Sequence, residues 1–197
     1  MKIIAFKNIE ELQLSEHSSD LIPSMEIYPE TAIIRKGNPF FVPIWGSEWA
    51  FNVSIAVTIE RLGKGIYSQF AHRYWSERMI ALHAVPGNAE LTGAAFTAFD
   101  NCLLIGGGLC NSDKSTCRYE AMRLYDVNGT SEVIDFQISC SDGLIDAAVS
   151  SASQFFTLHT GDVILLQPVN KISLPIIKDT KIIVSFNNEQ LLFLRIK

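Results

Sequence analysis

Chemistry in this 197-residue chain has few places to come from. Four cysteines, Cys102, Cys110, Cys117 and Cys140, could in principle hold a metal or pair as disulfides. No two of them stand in a CxxC spacing and no secretory signal accompanies them, so reduced thiols are the expectation. Ile105-Gly106-Gly107-Gly108-Leu109 is rich in glycine, but it has neither the GxGxxG spacing nor a Walker lysine with which to cradle phosphate. It reads as a mobile turn. Ser139-Cys140-Ser141-Asp142 offers hydroxyl and thiol nucleophiles without an identifiable base, and a helix N-cap accounts for Ser141 or Asp142. What is left is a set of neutral oxygens. Asn52, Ser54 and Thr58 alternate with apolar residues, so a strand at this point would present them, with Ala56, on one small polar face.

The elements that must position such groups follow from periodicity. Phe51 to Glu60 is β-branched and alternating, which predicts a strand with Phe51, Val53, Ile55, Val57 and Ile59 on its apolar face. Met1 to Asn8 reads as a first strand, and residues 9–27 as loop with a short helix. Ala32-Ile33-Ile34 and Pro39 to Pro43 are short strand-like runs set off by Gly37-Asn38 and prolines. From Ser68 to Ile80 the period changes: Phe70, Tyr74 and Arg78 share a stripe, as do Ala71, Trp75 and Met79, and a helix capped by Ser68 is the reading. A strand-like run, Ala81 to Val85, follows it. Asn128-Gly129, flanked by Arg-Leu-Tyr-Asp-Val and Glu-Val-Ile-Asp-Phe, predicts a hairpin with a type I′ turn. A second helix opens at Ser141-Asp142 and runs to about Phe156, with Leu144, Ile145, Ala148, Ala152 and Phe155 inward. Thr160-Gly161-Asp162 then turns into a strand over Val163 to Leu166, and Lys181 to Phe186 and Leu191 to Ile196 form a closing pair around Asn187-Asn188. Many strands and two main helices make a β-rich α+β fold. No repeat, linker or low-complexity tract divides it, so one domain over 1–197 is expected.

Composition narrows the function classes. Apolar residues make up 48% and charged residues 19%, enough for a substantial core. The net charge of -5 and the lack of any Lys/Arg block argue against a nucleic-acid partner. No run approaches the ~20 apolar residues of a membrane span, and Glu10 and Glu11 interrupt the N-terminal stretch before a signal-peptide core could form. A cytoplasmic protein is expected. On that basis Asn52-Val53-Ser54 and Asn128-Gly129-Thr130 match the glycosylation pattern by chance.

Several segments, in order, resemble the short bacterial members of the fumarylacetoacetate hydrolase family. Pro29-Glu30-Thr31-Ala32-Ile33-Ile34 is similar to the family's KPDSALL segment, and Pro39-Phe40-Phe41-Val42-Pro43 to the PFF-type strand after it. Phe70-Ala71-His72-Arg73-Tyr74-Trp75 resembles FAxRYYD, and Thr97-Ala98-Phe99-Asp100 resembles KxFD. Val127-Asn128-Gly129 matches the NG hairpin, and Phe155 to Ile164 matches FFTLxxGDII closely. The resemblance implies a mixed β-roll with a central pocket, commonly a homodimer, acting on 2-oxo acids or 1,3-dicarbonyl compounds by hydrolysis, hydration or decarboxylation. It also implies one Mg²⁺, Mn²⁺ or Ca²⁺ ion held by three carboxylates, two from an ExE pair on a strand and the third an Asp on the strand after FAxRYYD. Hard dications take oxygen ligands, and the metal would polarise the substrate's oxygens as a Lewis acid.

Position by position, that site has changed. The ExE pair falls on Asn52 and Ser54, and the third ligand falls on His83. The Lys of KPDSALL becomes Tyr28, the Lys of KxFD becomes Thr97, and the TGTP turn becomes Leu166-Gln167-Pro168. Asn8-Ile9-Glu10-Glu11-Leu12 lacks the His of the family's water-activating pair, for which His17 beside Glu16 is the nearest substitute. Neutral oxygens hold a dication weakly against its hydration shell, and one imidazole alone is not a zinc site. The reading is therefore a family member without its metal and without a confident catalytic residue, serving as a binding or non-catalytic partner protein with a small oxo-acid ligand. The alternative is a working hydrolase, decarboxylase or hydratase with metal-free chemistry, in which His83 is the general base and Tyr28 and Thr97 orient the substrate. A third reading, an unrelated α+β binding domain, requires a different topology.

Overall fold

The computed structural model describes residues 1–7, 12, 23–87, 94–108, 116–125, 131–139, 141–167 and 172–197. In chain order its strands are β1 (Ile3–Phe6), β2 (Met25–Tyr28), β3 (Ala50–Ile59), β4 (Trp75–Val85), β5 (Leu103–Gly108), β6 (Thr116–Tyr125), β7 (Ser131–Ser139), β8 (Val163–Leu166), β9 (Ser173–Pro175), β10 (Thr180–Phe186) and β11 (Glu189–Ile196). Helices α1 (Ser68–Ala71), α2 (Ala94–Thr97) and α3 (Asp142–Phe155) and a 3-10 turn at Glu30–Ala32 complete it. One sheet runs β2-β1-β8-β3-β4-β5 with β9 also paired to β3, and a second runs β11-β10-β6-β7. Only β1 with β8 is parallel among the named ladders of the first sheet. The β-rich α+β architecture is as the sequence leads one to expect.

The first sheet curls. The segment leaving β2 meets β5 through a parallel bridge between Ile33 and Leu103, with Ile34 N–H donating to the Leu103 carbonyl at 2.7 Å. Register then decides what the curl encloses. Ile3 pairs with Tyr28 and Val163, Ala5 with Glu26 and Leu165, Ala56 with Leu165, and Asn52 with His83. Since side chains alternate along a strand, Glu26, Tyr28, Asn52, Ser54 and His83 share one face, and Lys7 and Gln167 continue it one residue past β1 and β8. The opposite face carries Ile4, Phe6, Phe51, Val53, Ile55, Val57, Ile80, Leu82, Ile164 and Leu166, all buried in one continuous core.

Two turns fix the strands that matter. Gly161 has φ +88, a left-handed conformation that disfavours a side chain. It lets Asp162 fold back, accept from His159 N–H at 2.8 Å and Lys2 N–H at 2.9 Å, and pair with the Lys2 ammonium, so β1 and β8 start in register. Ser141 caps α3 by accepting from Leu144 N–H at 3.2 Å, which is worth about 1 kcal/mol. Leu144, Ile145, Ala148 and Ala152 then point inward as expected, and Ser150 and Ser153 tie α3 to Ile66.

Five expectations are corrected. Helix α1 stops after four residues and starts without a side-chain cap; Trp75 to Ile80 belongs to β4 instead, paired with β3 from Val85 opposite Ala50 to Trp75 opposite Ile59. The helical stripe is overridden from outside the segment, because the ten-residue β3 offers a ladder partner that a helix would waste. Residues 103–108 are strand, not turn. Their glycines let β5 approach β11: a Cβ on Gly106 would lie 3.0 Å from Ile80 Cγ2 and 3.1 Å from the Leu191 carbonyl oxygen. Ala32 to Ile34 is not a strand: Ala32 ends the 3-10 turn and Ile33 makes a single bridge. The stretch read as loop before residue 27 contains β2. Phe155 is 49% exposed, and Ser153 takes the inward place near the end of α3. The Asn128-Gly129 turn lies outside the described residues, although β6 and β7 pair antiparallel around it, with Leu124 opposite Ser131. Residues 8–11, 13–22, 88, 110, 140 and 168, with His17 and Glu16 among them, lie outside as well, and so does the side chain of Cys117.

Gly106→Val should destabilise the fold by about 1–3 kcal/mol through overpacking at this seam. Thermal unfolding of the variant beside Gly37→Val, whose Cβ meets open space but whose φ of +90 is strained, separates close packing from backbone strain.

Candidate functional site

The curl brings the substituted positions together. Tyr28 on β2 and His83 on β4 are four strands apart in the sheet order, about 19 Å on a flat sheet. Their ring centroids are nonetheless 5.4 Å apart. The polar face is therefore the concave one. Tyr28 and Ser54 are fully buried, His83 is 1% exposed and Gln167 is 6% exposed. Asn52, directly opposite His83 in register, is half-buried.

Thr97 is the hub of this interior. Its carbonyl faces His83 Nε2 at 2.5 Å and the Cys102 thiol at 3.6 Å. A carbonyl can only accept, so His83 carries its proton on Nε2 and leaves Nδ1 as a bare lone pair. The Thr97 hydroxyl donates to Glu26 Oε2 at 3.2 Å and also bonds Tyr28, whose hydroxyl accepts from Gln167 Nε2 at 3.4 Å. Glu26 in turn pairs with the Lys7 ammonium at 2.6 Å. Aromatic packing holds α2 in place: Phe96 and Phe99, on either side of Thr97, pack on Trp45 at 5.6 and 5.1 Å, and Trp49 stacks edge-on against Trp45 and Phe99. Among the described residues three buried polar atoms have no hydrogen-bond partner in the structure: Ser54 Oγ and His83 Nδ1 on the concave face and Trp49 Nε1 in the aromatic cluster.

The electrostatics are those of a neutral enclosure. Burial pulls the His83 imidazolium down to a pKa of about 4, against a smaller raising effect of the Thr97 carbonyl. Burial likewise pushes the Tyr28 phenol well above its usual 10, opposed by the Gln167 hydrogen bond. The Cys102 thiol is pushed up to about 12 by burial, so it is a packed side chain and not a nucleophile. All of these groups stay uncharged at neutral pH.

Such residues do not fit a hard dication. Asn52, Ser54 and His83 stand together as the sequence places them, yet none is anionic, and Glu26 is committed to Lys7 and Thr97. Among the described residues no group of three or more His, Cys, Asp or Glu side chains could hold a metal. The sequence-derived set of His83, Tyr28 and Thr97 is brought into mutual contact. Glu26, Lys7 and Cys102 are the partners that sequence reasoning missed. Glu26 fell in a stretch read as loop, and only the alternation Met25-Glu26-Ile27-Tyr28 could have flagged it.

No protein-family model matches the chain, and no curated protein matches it. Solved structures do. A protein from Yersinia pestis provisionally assigned to the fumarylacetoacetate hydrolase family superposes with a TM-score of 0.73 at 19% identity, covering 100% of this chain and 93% of that one. Fumarylpyruvate hydrolase from Pseudomonas aeruginosa, solved with Mn²⁺ and pyruvate, gives 0.65 at 15% identity, covering 99% and 88%. A 5-carboxymethyl-2-hydroxymuconate delta-isomerase from Mycobacterium smegmatis gives 0.72 at 20%, covering 99% and 76%. The chain has the fold of these proteins, which removes the reading of an unrelated topology.

The buried His83 makes stability pH-dependent with a definite sign. Its folded pKa near 4 lies below the ordinary 6.5 of the unfolded chain, so the unfolded state binds the extra proton between these values. Its contribution is intact above pH 6.5 and is lost as pH falls toward 4, by on the order of 3 kcal/mol. Chemical denaturation from pH 7 to pH 4 should show this decline, and His83→Gln should flatten it relative to wild type.

Proposed function

We propose that this chain is a member of the fumarylacetoacetate hydrolase family that has given up the family's metal site and acts as a binding or non-catalytic partner protein. One observation carries the reading. Three of the positions where the family resemblance calls for charge hold Tyr28, His83 and Thr97, and these three now bond or stack with one another inside the curl. The other two, Asn52 and Ser54, still sit on the ligand face of β3 but bring no charge. Loss of function scattered by drift would leave orphaned charges; this interior has none unpaired among its described side chains. A single domain, a cytoplasmic setting, a homodimeric assembly and no nucleic-acid partner are carried over as part of the same proposal. No helix among the described residues is long and apolar enough to cross a membrane. A small oxo acid would be the ligand on the family pattern, but its carboxylate would need a cation, and the Lys7 ammonium is already held by Glu26.

The second reading, metal-free chemistry with His83 as general base and Tyr28 and Thr97 orienting substrate, draws on the free Nδ1 lone pair. Against it stand a pKa of about 4, which makes a weak base at neutral pH, and the burial of the ring.

Metal titration separates these readings from an intact family site. Wild type should show no change in melting temperature with millimolar Mn²⁺ and no stoichiometric binding by calorimetry; tight binding would sink the proposal. The variant Asn52→Glu, Ser54→Glu, His83→Asp restores three carboxylates on paired strands. In chelator it should be unfolded or melt far below wild type, and Mn²⁺ at a hundredfold excess over Kd should stabilise it by about 3 kcal/mol, roughly 5–10 °C. If that variant does not fold, the wild-type arm alone decides.

A further inference from the structure

We draw no further inference here: the strongest candidate, the group of exposed apolar side chains Leu62, Tyr67, Phe70 and Phe155 where α1 and the turn leading into it meet the end of α3, carries nothing because nothing in the structure shows what covers it.

Discussion

The backbone carbonyl of Thr97 is the acceptor around which the interior is arranged. It fixes which nitrogen of His83 is protonated, takes the Cys102 thiol as a second donor, and belongs to a residue whose hydroxyl joins Tyr28 to Glu26. That carbonyl is available because α2 is only one turn long: helix-terminal carbonyls have no partner within the helix. The aromatic cluster of Trp45, Trp49, Phe96 and Phe99 holds the turn against the mouth of the curled sheet. Without the curl Tyr28 and Glu26 of β2 would not meet His83 of β4, which lies four strands away in the sheet order, or the Thr97 bonded to it.

Low dielectric makes such an arrangement all or nothing. Each ionisable group in it is held neutral by burial, and the one pair of charges, Lys7 with Glu26, is partly exposed and bonded on both sides. A surrounding of this kind strengthens every satisfied hydrogen bond and penalises every unsatisfied one. That is why Ser54 Oγ, His83 Nδ1 and Trp49 Nε1, without a partner among the described residues, stand out from the rest of the core.

Much of the fold was legible in the chain and the site was legible only in part. The alternation in Phe51 to Ile59, the Ser141 cap and the Gly161-Asp162 turn act locally, so β3, α3 and β8 follow from neighbouring residues alone. Strand β4 does not, because Trp75 to Ile80 carries a helical stripe and no alternation, and the choice was made by β3 from outside the segment. The glycines of β5 signal looseness in sequence but closeness in space, since the contact that requires them comes from β11 some eighty residues on. At the site, Asn52 and Ser54 were readable as a face. Tyr28, Thr97 and His83 were joined to it only through family resemblance, because no local rule links residues that far apart. The Lys7–Glu26 pair had no signal at all: it needs the register of β1 on β2, which two isolated four-residue strands do not announce.

The neutrality of the enclosure also bears on how such a chain can change. A single carboxylate introduced at Ser54 would be a buried charge with no partner, a change of the kind that costs several kcal/mol. A protein with an ordinary margin of 5–15 kcal/mol could absorb one such step poorly and two hardly at all. Small neutral exchanges on the same face carry no such penalty. Mutational traffic through this interior therefore runs easily among uncharged residues and is nearly closed toward charged ones, so the buried face behaves as a one-way valve on the sequences that descend from it.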